Sequence, residues 1–409
     1  MRLLVVSQYF HPENFRINEL VWGLKNKGIL IEVLTGKPNY PAGVVYKGYR
    51  AWGCTTEQLD GVMIYRVPLM PRGKGGGYLA LNYLSFVLSA LALSPWLLRK
   101  RHFDAILVFA PSPILQAIPA ISLGWIKKCP VLLWVQDLWP ESLSATGHVK
   151  HPFVLRLVES VVKWIYQNVE LLLVQSKAFV PKIRPLAGAT PIVYYPNSFI
   201  EGVPNEPCVN INCSGFDSDF PVLFAGNLGS AQAVDVVLEA ATILRGVVGI
   251  RFVMVGDGSR RDWMMHQAAA RGLDNLVFPG RFPVETMPTL MARAAVLLVT
   301  LADTEIFRLT IPSKIQAYLA AGRPIIACLN GVGAEIVQEA GAGVAVPAED
   351  ASALSQAVMA LYTMSPQERL EMGASGRRYY EEHFSHEKLV DELIGHLVQA
   401  VRHNKGISP

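Results

Sequence analysis

The chain has 409 residues, 51% of them hydrophobic, enough for two α/β domains with a core each. A net charge of +4 admits an anionic partner, a nucleotide diphosphate or an acidic membrane surface, but gives no sign of nucleic acid. Five scattered cysteines argue against a disulfide framework and for a reducing compartment, and Cys208 and Cys213 lack the second ligand pair a zinc site needs.

Leu3 to Val6 is too short for the apolar core of a secretory signal and runs straight into Ser7-Gln8, so it is expected to be the first parallel strand. A helix from about Ile17 to Lys27 ends at Gly28, and Ile29 to Thr35 forms the second strand. No G-x-G-x-x-G follows the first strand, which disfavours a dinucleotide cofactor. That loop instead carries His11, Glu13, Asn14 and Arg16 at the carboxyl end of a strand, the edge where open α/β sheets bind ligands. Val62 to Val67 is the third expected strand.

Gly75 to Leu98 holds no charge and is bracketed by Arg72 and Lys74 before it and by Arg99, Lys100 and Arg101 after it. Length alone makes it a membrane-span candidate. A single span would place the flanking strands on opposite sides of a bilayer, and Ser85, Ser89, Ser94 and Pro95 weaken it further. The favoured reading is a long helix packed on the sheet with part of its surface at the membrane interface; a span and simple burial remain the alternatives.

Pro130 to Gln136 is a buried strand leading into Asp137-Leu138-Trp139-Pro140-Glu141-Ser142, so Gln136, Asp137 and Glu141 emerge where substrate hydroxyls can be met. Phe153 to Tyr166 is a helix with Arg156, Glu159 and Lys163 on one stripe, a pattern that core burial explains as well as a membrane face. Leu171 to Gln175 and Pro191 to Tyr195 complete a first domain over 1–198. Residues 199–220 lack periodicity and form the expected linker. Alternation restarts with strands at Val222–Phe224, Arg251–Val255, Leu276–Pro279 and Val296–Leu301, a helix over Val234–Leu244, and Arg281 and Asp303 at strand ends.

Residues 310–347 pack a helix, a buried strand, a glycine loop, a second helix and another strand into one unit. Pro312 can open a helix with Ser313 feeding its first-turn donors, and Gly322 ends it. Asn330-Gly331-Val332-Gly333 opens the next helix. Two helix N-termini beside one strand, with Lys314 in a first turn, make a place for a diphosphate; an ordinary βα crossover needing glycine for packing explains the spacing equally.

The run from Pro312 through Gly343 resembles the donor-binding signature of family 4 glycosyltransferases of the GT-B fold, in particular the enterobacterial O-antigen and capsule enzymes of the WbuB type, N-acetyl-L-fucosaminyltransferases. The resemblance extends over nearly the whole chain, through Ser7–Asn14, Gly36–Pro41, Trp134–Ser142, Pro196-Asn197-Ser198 and Phe224–Gly229. It implies two Rossmann-like α/β domains with parallel sheets facing each other across a cleft: an acceptor-binding domain over 1–198, a nucleotide-sugar domain over 221–376, and residues 377–409 crossing back to the first.

The resemblance further implies a retaining transferase that moves a deoxy-amino sugar, N-acetyl-L-fucosamine from its UDP donor, to a sugar on a polyprenyl diphosphate. It would work from the cytoplasmic face of the bacterial inner membrane as a peripheral protein. Asp137, Glu141 and Glu13 are the catalytic candidates, and His11, Asn14, Arg16 and Gln136 the acceptor-binding ones. Gly226, Asn227, Gly229, Gly256, Arg281, Ser313, Lys314, Gly331, Gly333 and Glu335 are the donor-binding candidates. Without a D-x-D motif no metal is expected, and cations and backbone amides are left to hold the phosphates. Two departures stand out: the E-x7-E pair of the family falls on Leu309 and Ala317, and Ser230 replaces its phosphate-binding lysine. Glu305, Arg308 and Lys314 are the nearby residues able to substitute. A UDP-sugar 2-epimerase of the same fold and a non-catalytic assembly subunit are the other two readings.

Overall fold

The computed structural model describes residues 1–73, 75–145, 151–201 and 214–406. Lys74 and most of the expected linker, including Cys208 and Cys213, lie outside the described residues. The chain forms two compact units, residues 1–197 with 386–409, and residues 198–385.

In unit 1 the chain runs β1 (Arg2–Val6), α1 (Arg16–Asn26), β2 (Leu30–Gly36), β3 (Thr55–Leu59), β4 (Val62–Val67), α2 (Gly76–Leu97) and β5 (Ala105–Ala110). It continues through α3 (Ala117–Lys127), β6 (Val131–Val135), α4 (Glu141–Ala145), α5 (Pro152–Gln167), β7 (Leu171–Val174), α6 (Val180–Ala187) and β8 (Ile192–Tyr194). The eight strands make one sheet in the order β3-β4-β2-β1-β5-β6-β7-β8. All pairs are parallel except β3 with β4. β5 and β6 are buried at every position, as expected of strands covered on both faces.

β3 has no counterpart in the expected element list. It pairs Leu59 with Val62 across the two-residue Asp60-Gly61 turn, where both residues have positive φ. Asp-Gly is a direct hairpin signal, but the alternation of Thr-Thr-Glu-Gln-Leu is too polar to mark a buried strand.

α2 is long and apolar enough to cross a bilayer by length and composition. In the fold it is the crossover between β4 and β5, which lie in one parallel sheet, and it packs on β4 and α3. Tyr83, Phe86, Val87 and Ala90 are buried together with Asn82 and Ser94, whereas Leu81, Leu84, Leu88 and Trp96 on the opposite stripe are exposed.

Unit 2 runs β9 (Phe220–Ala225), α7 (Asp235–Ile243), β10 (Ile250–Val255), α8 (Arg261–Arg271), β11 (Leu276–Gly280), α9 (Met287–Arg293), β12 (Val296–Thr300) and α10 (Glu305–Leu309). α11 (Ser313–Ala321), β13 (Ile325–Cys328), α12 (Val332–Glu339), β14 (Gly343–Val346), α13 (Ala351–Thr363) and α14 (Pro366–His383) follow. Its six strands are parallel in the order β11-β10-β9-β12-β13-β14.

The return to unit 1 begins at His386, with α15 (His386–Asn404), rather than at 377. α14 stays with unit 2 because Gly373 and Gly376 let it lie against the end of α11: a Cβ on Gly373 would meet the Gly322 carbonyl at 2.2 Å. α15 inserts Leu389, Val390, Leu393 and Leu397 into the unit 1 core, and the Tyr195 hydroxyl donates to the Leu389 carbonyl at 2.8 Å.

Candidate active site

In unit 2 the loops after β9 and β10 begin with Gly226 and Gly256, and β11 ends on Gly280, all three at positive φ. Gly226 has φ 144°, and its missing Cβ leaves the space crossed by Lys314, whose Cε would stand 2.6 Å from such a Cβ. A Cβ on Gly256 would strike the Gly226 carbonyl at 1.8 Å, so the strand ends touch backbone to backbone. Next to them opens a cavity of about 440 Å³ lined by Gly226, Asn227, Gly256, Asp257, Arg281 and Phe282 among others.

Lys314 lies in the first turn of α11. Its Nζ stands 3.6 Å from the centre of the Phe224 ring and donates to Gln232 Oε1 at 2.7 Å. Thr300 holds that turn by donating to the Gln232 carbonyl. Burial lowers the Lys314 pKa to about 7. Among the described residues no carboxylate pairs with this ammonium. Gln232, Phe224 and Tyr318, whose buried hydroxyl accepts from the Ala225 amide at 3.1 Å, were not singled out from sequence. Gln232 follows Ser230 in one turn.

The other donor candidates divide. Asn227 and Arg281 are exposed at the cavity, and Gly229 begins the Ser230–Gln232 turn. Ser313 is exposed, but no side chain caps α11: Pro312 is the N-cap and Ser313 the first helical residue, which corrects the capping expectation. Gly331 caps α12 at φ 84°, where a Cβ would hit the Arg308 carbonyl at 2.0 Å. Gly333 is spent on packing, since a Cβ would crowd Ile315, Leu329 and Pro312. Glu335 is exposed on the first turn of α12. Arg308 is held by Asp303 through two contacts of 2.6 Å and draws the Asp303 carboxyl below the usual range, so it is already committed to a carboxylate.

In unit 1 the polar residues gather at the carboxyl ends of β1, β2, β5 and β6. Asp137 follows β6 and is half-buried; Ser112 donates to its Oδ2 at 3.1 Å, and Trp139 Nε1 donates to Ser112 Oγ at 3.1 Å. Burial raises the Asp137 pKa and the Ser112 contact opposes the rise. Tyr83 of α2 lies within electrostatic reach of Asp137, Arg72 and Tyr9. Tyr9 stacks on Phe15 at 4.9 Å, and the Arg72 guanidinium lies 5.3 Å from the Tyr40 ring centre. Tyr9, Tyr83 and Ser112 are the residues that sequence reasoning missed here; aromatic spacing gives no cue to them.

Gln136 is buried beside Asp137: its carbonyl accepts from Gln175 Nε2 at 2.5 Å, and its own Nε2 has no partner among the described residues. Glu141 opens α4, and among the described residues no hydrogen bond or ion pair joins it to Asp137.

Burial raises the Glu13 pKa, and its Oε2 has no hydrogen-bond partner among the described residues. The residue is buried, and Oε1 accepts from the Asn39 and Tyr40 amides at 2.7 Å each. Through Oε1 that ties the first loop to Gly36–Pro41. Asn39 Oδ1 then accepts from the Arg72 amide at 2.9 Å, and Asn82 joins Gln8 at 2.8 Å to the Met70 carbonyl at 2.6 Å. His11 is engaged through its backbone, donating to Asn18 Oδ1 at 3.0 Å and accepting from buried Arg66. Asn14 is exposed; Arg16 begins α1 with its pKa lowered by burial against the opposing pull of Glu19.

A family model described as glycosyl transferases group 1 matches residues 219–364. The putative colanic acid biosynthesis glycosyl transferase WcaI of Escherichia coli K12 is 26% identical over 345 residues, 79% of this chain and 82% of that protein. Sucrose-phosphate synthase of Thermosynechococcus elongatus superposes with a TM-score of 0.68 at 18% identity, over 97% of this chain and 98% of that one. HepE of Anabaena, solved with UDP, superposes with a TM-score of 0.68 at 13% identity over 98% and 100%. These two structures share the fold. With its group 1 match spanning β9 to α13 and a parallel-sheet α/β architecture in each unit, this chain is a glycosyltransferase of the GT-B fold.

Proposed function

We propose that the chain transfers a deoxy-amino sugar, N-acetyl-L-fucosamine from its UDP donor, with retention, to a sugar on a polyprenyl diphosphate during assembly of a surface polysaccharide. The carrying observation is Lys314: a cation packed over Phe224 and Gly226 with no carboxylate partner among the described residues, at the glycine-lined ends of β9 and β10. Burying a charge without a counter-ion is unfavourable, and an incoming diphosphate supplies one. Arg281 at the cavity and exposed Asn227 add donors for the same ligand.

HepE was solved with UDP, which supports a uridine diphosphate donor here. The name of WcaI supports a surface-polysaccharide context, and the resemblance to WbuB-type signatures supports the choice of sugar. Neither Leu309 nor Ala317 offers a carboxylate, so the departing diphosphate itself is the base for the incoming hydroxyl, while Asp137 and Tyr83 orient the acceptor. No metal is needed in this scheme. The exposed apolar stripe of α2 supports peripheral contact with the cytoplasmic face of the inner membrane, where a lipid-linked acceptor resides.

Membranes containing the protein, incubated with radiolabelled UDP-sugars, should place label in the lipid extract. Release of a free epimer would favour the epimerase, and no turnover with any donor would favour a non-catalytic subunit.

A further inference from the structure

We propose that unit 1 meets an anionic bilayer through a second arm beyond α2, formed by α5 and the end of α3. The proposal rests on the peripheral-membrane reading of α2 given above. On α5, Phe153, Leu157 and Trp164 recur at i, i+4 and i+11 and so share one stripe of the helix. That stripe faces away from the core: Phe153 is 70% and Leu157 58% exposed, whereas Val162, Ile165 and Tyr166 opposite them are buried.

α3 carries the stripe sideways. It ends in Trp125 and Ile126, 60% and 53% exposed. The Trp125 and Trp164 rings meet edge to face at 6.0 Å, and α3 packs on both α2 and α5. The exposed residues of the three helices therefore belong to neighbouring elements of one unit rather than standing singly.

Charge selects the occupant. Arg156 and Lys163 lie on the stripe beside Phe153 and Leu157, with Glu159 the one acidic residue of α5. Lys128 follows α3, and Arg99, its guanidinium 4.6 Å from the Trp96 ring centre, and Lys100 follow α2. Tryptophans beside cations on an apolar face suit the headgroup boundary of an anionic membrane. A second copy of the chain would bring the same cations against each other.

The test is flotation of the full-length protein with phosphatidylglycerol-rich and with phosphatidylcholine vesicles, for wild type, the α5 variant F153E/L157E and the α2 variant L84E/L88E. Both variants should keep the wild-type melting temperature and UDP affinity. Each should lose roughly tenfold or more of its binding to phosphatidylglycerol vesicles. Should F153E/L157E fail to fold, brominated-lipid quenching replaces it, and Trp164→Phe should remove part of the quenched emission. Wild-type-like flotation of the α5 variant, with loss confined to the α2 variant, or quenching unchanged in Trp164→Phe, overturns the second arm and leaves the α2 reading standing. Absence of wild-type binding to either vesicle overturns both. A dimer in light scattering that F153E/L157E dissociates assigns the face to a second copy and overturns the proposal.

Discussion

Lys314→Met removes a charge while keeping the aliphatic stem that crosses Gly226 and rests on Phe224. Burial lowers the Lys314 pKa to about 7. At pH 8 roughly nine in ten ligand-free molecules then carry it neutral. A bound diphosphate stabilises the charged form and returns the pKa above 8. The sign follows: affinity for UDP is greatest at and below pH 7 and weakens as pH rises, by up to about tenfold per unit until the pKa of the complex is reached. Binding at pH 8 should take up close to one proton. The charge-assisted contact itself contributes about 2–4 kcal/mol, so the variant should bind UDP, and turn over, roughly a hundredfold worse below pH 7, where the wild-type lysine is charged, and roughly tenfold worse at pH 8. Titration calorimetry with UDP at pH 8, in two buffers of different ionisation enthalpy, measures both quantities. A variant binding within about twofold of wild type, or wild-type binding without proton uptake, would refute the assignment of Lys314 to the phosphates.

Asp137→Asn should slow turnover while leaving the melting temperature near wild type, because the amide can still accept from Ser112; the wild-type acid limb should lie above the ordinary carboxylate range, since burial raises this pKa. A large stability loss with normal turnover in the surviving protein would make Asp137 structural. Glu13→Ala should do the reverse. It strands the Asn39 and Tyr40 amides, costing about 2–4 kcal/mol in unfolding experiments, with donor binding unchanged. Gly226→Ala should weaken UDP binding, because its Cβ would stand 2.6 Å from Lys314 Cε; unaltered affinity would detach the lysine from the donor. Turnover should survive excess EDTA, and loss restored by magnesium or manganese would overturn the metal-free scheme.

Strands such as Ala105–Ala110 and Val131–Val135 were legible because both faces are covered and the apolar run is unbroken. The 310–347 unit was legible because proline and glycine punctuate it: Gly322 ends α11 and Gly331 caps α12. β3 was not, since an edge strand need not look buried. Sequence also supplied residue types at the strand ends without their partners. Glu13 and Asp137 are both carboxylates at such ends, yet one accepts the Asn39 and Tyr40 amides and the other is held by Ser112. Only tertiary contacts distinguish the two environments. α5 shows the same limit: its periodicity fits a buried helix until the exposure of Phe153 and Leu157 shows which face turns outward.

The proposed sugar transfer to a lipid-linked acceptor depends on Lys314. Purified wild-type protein and Lys314→Met, each given UDP-N-acetyl-L-fucosamine and a polyprenyl-diphosphate-linked N-acetylhexosamine, test it directly by mass spectrometry of the lipid product. The account predicts one added deoxy-acetamido sugar with wild type and, below pH 7, roughly a hundredfold less with the variant. Unchanged lipid with free sugar or UDP-sugar epimer formed, or equal product from both proteins, would contradict it.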